Sequence, residues 1–129
     1  MKILVDSHAY VWAKLNDPRL SRKARSLLRS DEHELFFSIA SLWELSINIR
    51  LGRLRTLTSS VAFLHDSLAE DNITVLPLRY EDILALEHLE MHHRDPFDRI
   101  LIAQAHNNRL HLLTNDADIK LYKEAHTLW

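Results

Sequence analysis

A chain of 129 residues that is 47% hydrophobic and 26% charged, with net charge −2, one Gly, three Pro and no Cys, holds apolar material for one core and is too short for two. At this size folding removes roughly two-thirds of the unfolded surface from water. The lack of Cys excludes disulfide frameworks, thiolate zinc sites and cysteine nucleophiles, and fits a reducing compartment. No apolar run approaches the roughly 20 residues that span a bilayer, and Asp6 interrupts the opening Ile3-Leu4-Val5 too early for a signal peptide. The expectation is a single domain over residues 1–129, cytoplasmic and without membrane contact.

The charge is unevenly spread. Residues 1–30 hold seven Lys/Arg and two Asp, a local +5, which leaves −7 for the remainder. Arg19, Arg22, Lys23, Arg25 and Arg29 form one basic segment and Arg50, Arg53 and Arg55 another. A basic rim of this kind can bind a polyanion such as RNA by phosphate neutralisation; the competing reading is a solvated helix face.

In chain order, Lys2 to Val5 is a short apolar strand, and Tyr10, Val11 and Leu15 follow at helical spacing. A second helix covers Ser21 to Arg29. Leu35 to Phe37 is the next strand; Ile39 to Leu51 is too long and mixed for a strand and reads as a helix that Gly52 ends. Ser59 to Leu68 is helix, Ile73 to Leu76 strand and Tyr80 to Leu89 helix. Asp95-Pro96 supplies an N-cap and a first-turn Pro for a helix running to about Asn108. Leu110 to Leu113 is strand, Asp116 to Tyr122 a short helix, and the final residues an edge strand. No repeat, low-complexity tract or linker divides the chain.

Strands separated by helices imply parallel pairing, because parallel strands need crossovers. The expected fold is α/β, a three-layer α/β/α sandwich around a parallel sheet of four or five strands. Ligands in such sheets bind beyond the carboxyl ends of the strands, where strand order reverses. Four acids stand near such ends: Asp6 directly after the first strand, Glu44 two turns into the helix after Leu35-Phe36-Phe37, Asp98 in the first turn after Asp95-Pro96, and Asp116 after Leu112-Leu113. Each has a structural alternative. Asp6 and Asp116 suit N-caps, Asp98 suits a helix dipole, and Glu44 could complete a capping box with Ser41. If Ser38 caps that helix instead, Glu44 lies too deep to cap anything and sits among Leu42, Trp43, Leu45 and Ile47, where a carboxylate needs a partner.

Crowded acids must hold protons or a cation. Oxygen donors without Cys favour Mg²⁺, or Mn²⁺, over Zn²⁺, and such an ion activates water against a phosphodiester. The residues around the acids carry a resemblance. Ile3-Leu4-Val5-Asp6-Ser7-His8, Ser41-Leu42-Trp43-Glu44-Leu45, Arg94-Asp95-Pro96-Phe97-Asp98-Arg99-Ile100-Leu101-Ile102-Ala103-Gln104-Ala105 and Leu112-Leu113-Thr114-Asn115-Asp116 resemble the successive motifs of PIN-domain ribonucleases, and most closely those of VapC-type toxins of toxin–antitoxin pairs. The resemblance covers essentially the whole chain. It implies a Mg²⁺-dependent endoribonuclease, commonly a homodimer, restrained by a small cognate antitoxin protein. It also implies Asp6, Glu44, Asp98 and Asp116 as catalytic, metal-holding acids with Ser7 and Thr114 as polar support. Asn48 stands where many relatives carry a Lys.

Several other residues have two readings. His92 and His93 precede the third motif and read as surface or loop packing, since neighbours on a helix do not share a face; His8 is ambiguous. Asp95 reads as an N-cap and Asp118 as an exposed first-turn acid. Arg99 could contact phosphate or neutralise a carboxylate. Trp12, Trp43 and Trp129 could stack bases but read as core or interface residues. Competing functions are a phosphatase resembling haloacid-dehalogenase enzymes, which would want an Asp where His8 stands; a metal-free ribonuclease with a His base; and a catalytically silent RNA- or protein-binding PIN-like module.

Overall fold

The structure, a computed structural model, describes residues 1–129. Strand β1 (Lys2–Val5) leads into α1 (Ser7–Leu15) and α2 (Arg22–Arg29); β2 (Glu34–Ser38) leads into α3 (Ile39–Arg50) and α4 (Val61–Glu70). Strand β3 (Ile73–Leu76) is followed by α5 (Tyr80–Leu86) and α6 (Pro96–Asn107), then by β4 (His111–Leu113) and β5 (Thr127–Leu128). All five strands are parallel in the order β3-β2-β1-β4-β5. The chain thus walks outward from β1 to β3, then returns past β1 to β4. Right-handed crossovers place helices on one face for the outward walk and on the other for the return, and the core divides accordingly.

Alternation along each strand sends neighbouring residues to opposite faces. Ile3, Val5, Phe37 and Leu113 pack with Ala9 and Tyr10 of α1, Ala24 of α2, Leu42 of α3 and Leu64 and Leu68 of α4. Leu4, Leu76 and Leu112 pack with Leu101, Ile102 and Ala105 of α6, with Phe36, Ala85 and Leu86 against them. The sheet is therefore buried on both faces, the three-layer arrangement expected from the alternating elements.

Helix starts follow local chemistry. The side chains of Asp6, Ser21, Ser38 and Asp95 each accept a backbone N–H at the start of α1, α2, α3 and α6. Ser38, not Ser41, caps α3, so Glu44 has no capping role. The expected fourth helix is displaced by about a turn's half to Val61–Glu70. The expected helix over Asp116 to Tyr122 shrinks to a 3₁₀ turn, Ile119–Leu121. Its reason is local: the Asp116 carboxylate accepts the N–H groups of both Asp118 and Ile119 at 2.9 Å, closing a tight turn that leaves little length for an α-helix.

A left-handed residue closes several of the helices, and the only Gly, Gly52 (φ 73°), supplies one after α3. There Gly52 N–H donates to the Ile49 carbonyl and Arg53 N–H to that of Asn48, a Schellman closure. The same closure after α6 uses Arg109 (φ 54°), whose N–H donates to the His106 carbonyl while Leu110 N–H donates to that of Ala105. A side chain in this conformation costs about 1–2 kcal/mol, part of which Gly returns as unfolded-chain entropy. Arg109→Gly is expected to stabilise the fold by about 0.5–1 kcal/mol, read as a higher urea midpoint at unchanged slope.

Candidate active site

Strands β1 and β4 are neighbours whose connections leave in opposite directions, so their carboxyl ends form the switch point of the sheet. Asp6 is the first residue past β1, 4% exposed. Its Oδ1 accepts the His8 N–H at 2.8 Å and its Oδ2 accepts the Thr114 hydroxyl at 2.6 Å. The same Thr114 oxygen accepts the Asp116 N–H at 3.1 Å. One hydroxyl thus locks the exit of β1 to the exit of β4.

Glu44 reaches this edge from α3. The Ser7 hydroxyl donates to Glu44 Oε1 at 2.6 Å and lies 3.5 Å from Asp6 Oδ1, which joins those two acids. Asp98, the third residue of α6 and 7% exposed, approaches from the other side. His93 Nε2 lies 2.9 Å from Asp98 Oδ2 and 3.3 Å from Asp116 Oδ2. The four expected acids therefore line this edge as two pairs, Asp6 with Glu44 through Ser7 and Asp98 with Asp116 through His93, and it is His93, Asp98 and Asp116 whose ligand atoms lie together within 4.8 Å. Asp6 and Asp116 also cap turns, so the capping and clustering readings hold together for them.

The acids divide electrostatically. Burial opposes the charge on Asp6, yet hydrogen bonds from His8 and Thr114 outweigh it and hold the carboxyl below its ordinary value. Glu44 is pushed up, first by burial and then by the charges of Asp95 and Asp6. Asp98 is pushed up to about 7 by burial and by the negative charges of Asp6 and Asp95. His8 is raised to about 9 chiefly by its hydrogen bond to Asp6, although its ring is 64% exposed and solvent weakens that attraction. The site thus keeps one firm anion and at least one carboxyl that holds its proton near neutrality. Oxygen donors so crowded suit a hard divalent cation, which takes the place of the proton.

Two sequence readings are corrected. His93 is not loop packing: its ring, one position before Arg94 in an irregular segment, turns inward onto the carboxylates, and the helical rule applied to His92-His93 fails because no helix is formed there. The Arg-Asp-Pro stretch that ends any preceding helix was the signal for this. Arg99 contacts no carboxylate. Its guanidinium donates to the carbonyls of Leu86, Leu89 and Glu90 and to the Tyr122 hydroxyl, tying the segment between α5 and α6 in place.

Among the basic residues, Arg19 is paired with Asp17 at 2.8 Å and its guanidinium lies over Trp12. Arg22, Arg25 and Arg29 line a shallow depression of about 490 Å³ on α2. Arg50 and Lys23 are on exposed helix positions, and Arg53 donates to Asn48 at 3.2 Å. Trp43 is 64% exposed and packs edge-on against Phe97. Trp12 and Trp129 meet edge to face beside a cleft of about 320 Å³ that also contains Asp6, His8 and Asp116. Asp95 caps α6, and Asp118 is exposed. No helix is long and apolar enough to cross a membrane.

A family profile described as PIN domain matches residues 3–125. Among solved structures, the chain is similar to VapBC2 from Rickettsia felis bound to a DNA fragment from their promoter, at 14% identity and TM-score 0.74 over 99% of this chain and 98% of that one. It is also similar to FitAcB from Neisseria gonorrhoeae, at 15% identity and TM-score 0.65 over 98% and 96%. No curated protein matches it.

The raised Asp98 carboxyl makes a stability prediction. It binds its proton more tightly folded, at about 7, than at its ordinary 3.8, so in chelator stability falls as pH rises between those values. Asp98→Asn removes that loss with almost no change in volume, leaving the contribution of Glu44. At pH 8 it is expected to be more stable than the parent by on the order of 1–3 kcal/mol, with a flatter slope between pH 4 and 7, measured by urea unfolding in excess EDTA. A purely structural Asp98 predicts a loss.

Proposed function

The chain belongs to the PIN-domain family, whose members are in general nucleases, and from that membership we propose that it is a Mg²⁺-dependent endoribonuclease, with Mn²⁺ as an alternative metal, acting as the toxin of a VapC-type toxin–antitoxin pair. The observation that carries this is the meeting of Asp6, Glu44, Asp98 and Asp116 at the switch point with Asp98 pushed up to about 7. The toxin role rests on the motif resemblance and on the likeness of fold to VapBC2 and FitAcB. In this reading RNA is the substrate, the protein works in the cytoplasm, and a small antitoxin protein restrains it.

Asp6, Glu44, Asp98 and Asp116 hold the metal. When bound, the ion lowers the pKa of water and offsets charge on the phosphodiester. The chain does the rest. Thr114 and the His8 N–H keep Asp6 ionised and fixed, and Ser7 orients Glu44. Glu44 and Asp98, both pushed up by burial and neighbouring charge, would accept the proton of the attacking water. The water oxygen bonds to phosphorus, the bond to O3′ breaks, and O3′ takes up a proton. The products are a 5′-phosphate and a 3′-hydroxyl.

A metal-free route through the RNA 2′-hydroxyl needs an imidazole with a free lone pair. His93 Nδ1 accepts the Asp95 N–H at 3.1 Å and its Nε2 faces two carboxylates; His8 is pushed up to about 9, chiefly by its hydrogen bond to Asp6. Both features favour water as the nucleophile. Arg22, Lys23, Arg25, Arg50 and Arg53 serve RNA binding through phosphate neutralisation, whereas Arg19 is already engaged by Asp17.

A homodimer is the further part of this reading. Ile39, Trp43, Leu78, Ile83, Phe97 and Ile100 line an apolar groove of about 370 Å³ between α3, α5 and α6. Trp43, Ile83 and Leu78 are exposed in the single chain. A two-fold pairing brings one such patch onto its own copy and removes it from water.

Two outcomes are expected. Sequencing of newly formed RNA 5′ ends after brief expression should reveal 5′-phosphates at defined positions, lost with Asp6→Asn or in purified protein with excess EDTA; undiminished cleavage in EDTA, or 2′,3′-cyclic phosphate ends, would refute the metal mechanism. Ile83→Glu should turn a dimer into a monomer in light scattering, and an unaltered mass distribution would place any dimer surface elsewhere.

A further inference from the structure

His93 is a part of the site that the four acidic motifs do not include, and its surroundings define where its proton lies. Its backbone N–H donates to the Tyr122 hydroxyl at 2.9 Å, and Arg99 Nη1 donates to the same hydroxyl at 3.0 Å and to the Glu90 carbonyl at 2.8 Å. The ring is therefore carried on a segment pinned from two sides. Next, the Asp95 N–H donates to His93 Nδ1 at 3.1 Å. A nitrogen that accepts a hydrogen bond carries no proton of its own, so in the neutral ring the proton is on Nε2. Nε2 makes its hydrogen bond to Asp116 Oδ2 at 3.3 Å and lies 2.9 Å from Asp98 Oδ2 without hydrogen-bond geometry.

His93, Asp98 and Asp116 lie close enough together to suggest a three-residue metal site in which Nε2 is a ligand. The Asp95 amide argues against that. Ligation through Nε2 needs its lone pair, which moves the ring proton to Nδ1, where it would face the Asp95 N–H. Histidines that bind metals usually do the reverse and donate their other N–H to an acceptor. Relief would require moving Asp95, whose carboxylate caps α6 through the Phe97 N–H at 2.9 Å, and α6 carries Asp98.

We infer that His93 is a positioning residue: its Nε2–H holds Asp116 Oδ2, its ring edge abuts Asp98 Oδ2 at 2.9 Å, and it presents the two carboxylates to the divalent cation without ligating it. The inference rests on the metal-nuclease reading above. Asp98 stands among the like charges of Asp6, Asp95 and Glu44, and the polar edge of the His93 ring is what faces its Oδ2. His93 and Asp95 thus act in series, the amide of one fixing the tautomer of the other.

Three measurements test this on the full chain. In chelator, nitrogen-15 spectra of the imidazoles should show His93, assigned by its loss in His93→Gln, as the Nε2–H tautomer; an Nδ1–H tautomer overturns the inference. With Mn²⁺ bound, pulsed electron paramagnetic resonance should show no directly coordinated imidazole nitrogen, and a strong nitrogen coupling that disappears in His93→Gln overturns it. In calorimetric titration His93→Ala should bind Mn²⁺ about 10- to 100-fold more weakly, as expected for loss of an outer partner of a ligand. His93→Gln places an amide N–H near the Nε2 position and should recover most of the affinity, so a general loss of structure is told apart from loss of the donor. Unchanged Mn²⁺ affinity in His93→Ala overturns the inference. Failure of the unaltered chain to bind Mn²⁺ overturns the metal-nuclease reading and with it the use assigned to His93, and that titration separates this case from failure of the His93 inference alone.

Discussion

A charged carboxylate inside a protein needs hydrogen-bond donors that compensate for lost water, and the buried anion Asp6 sets this requirement for the whole site. Its donors are the His8 N–H, which belongs to the helix that Asp6 itself caps, and the hydroxyl of Thr114 on the neighbouring strand exit. Meeting that need fixes the relative position of two strand ends more than a hundred residues apart in sequence. Thr114 passes the constraint on, because its oxygen also accepts the Asp116 N–H. The position of the fourth acid therefore follows from the solvation of the first.

The remaining acids are arranged by bridges of one proton each. Ser7 gives its proton to Glu44, and His93 hydrogen-bonds Asp116 while its Nε2 lies 2.9 Å from Asp98. The Ser7 bridge brings no charge to the cluster, and the geometry of both pairs is set by the chain's own groups. Asp98 is buried beside the negative charges of Asp6 and Asp95, which is why its carboxyl is pushed up to about 7.

Outside the acids, Arg99 has a part that charge alone misrepresents. A guanidinium in an acidic site suggests neutralisation, yet its donors are spent on the backbone carbonyls between α5 and α6 and on Tyr122. Those carbonyls lie at the last residue of α5 and in the segment before α6, where no continuing helix satisfies them. Five N–H groups in a planar fork suit that task better than a Lys. The segment so pinned is the one that carries His93.

Local chemistry in the sequence was sufficient for the elements and their layers. Alternation such as Ile3/Leu4/Val5, the Asp95-Pro96 start of α6 and Gly52 after α3 are decided within a few residues, because caps, turns and periodicity act over that range. Asp6, Asp98 and Asp116 were singled out by the same kind of signal, each standing past a strand or in the first turn of a helix, whereas Glu44, inside α3, was singled out by the apolar residues around it and by the motif resemblance. What local chemistry could not determine is which groups meet across elements. The turn of His93 into the site, the diversion of Arg99 to carbonyls and the pairing of Arg19 with Asp17 depend on where unsatisfied donors and acceptors are left once the elements have packed. That is settled only when the sheet order brings β1 beside β4, since a hydrogen bond is satisfied by whatever lies within about 3 Å in space, and sequence separation does not report that distance.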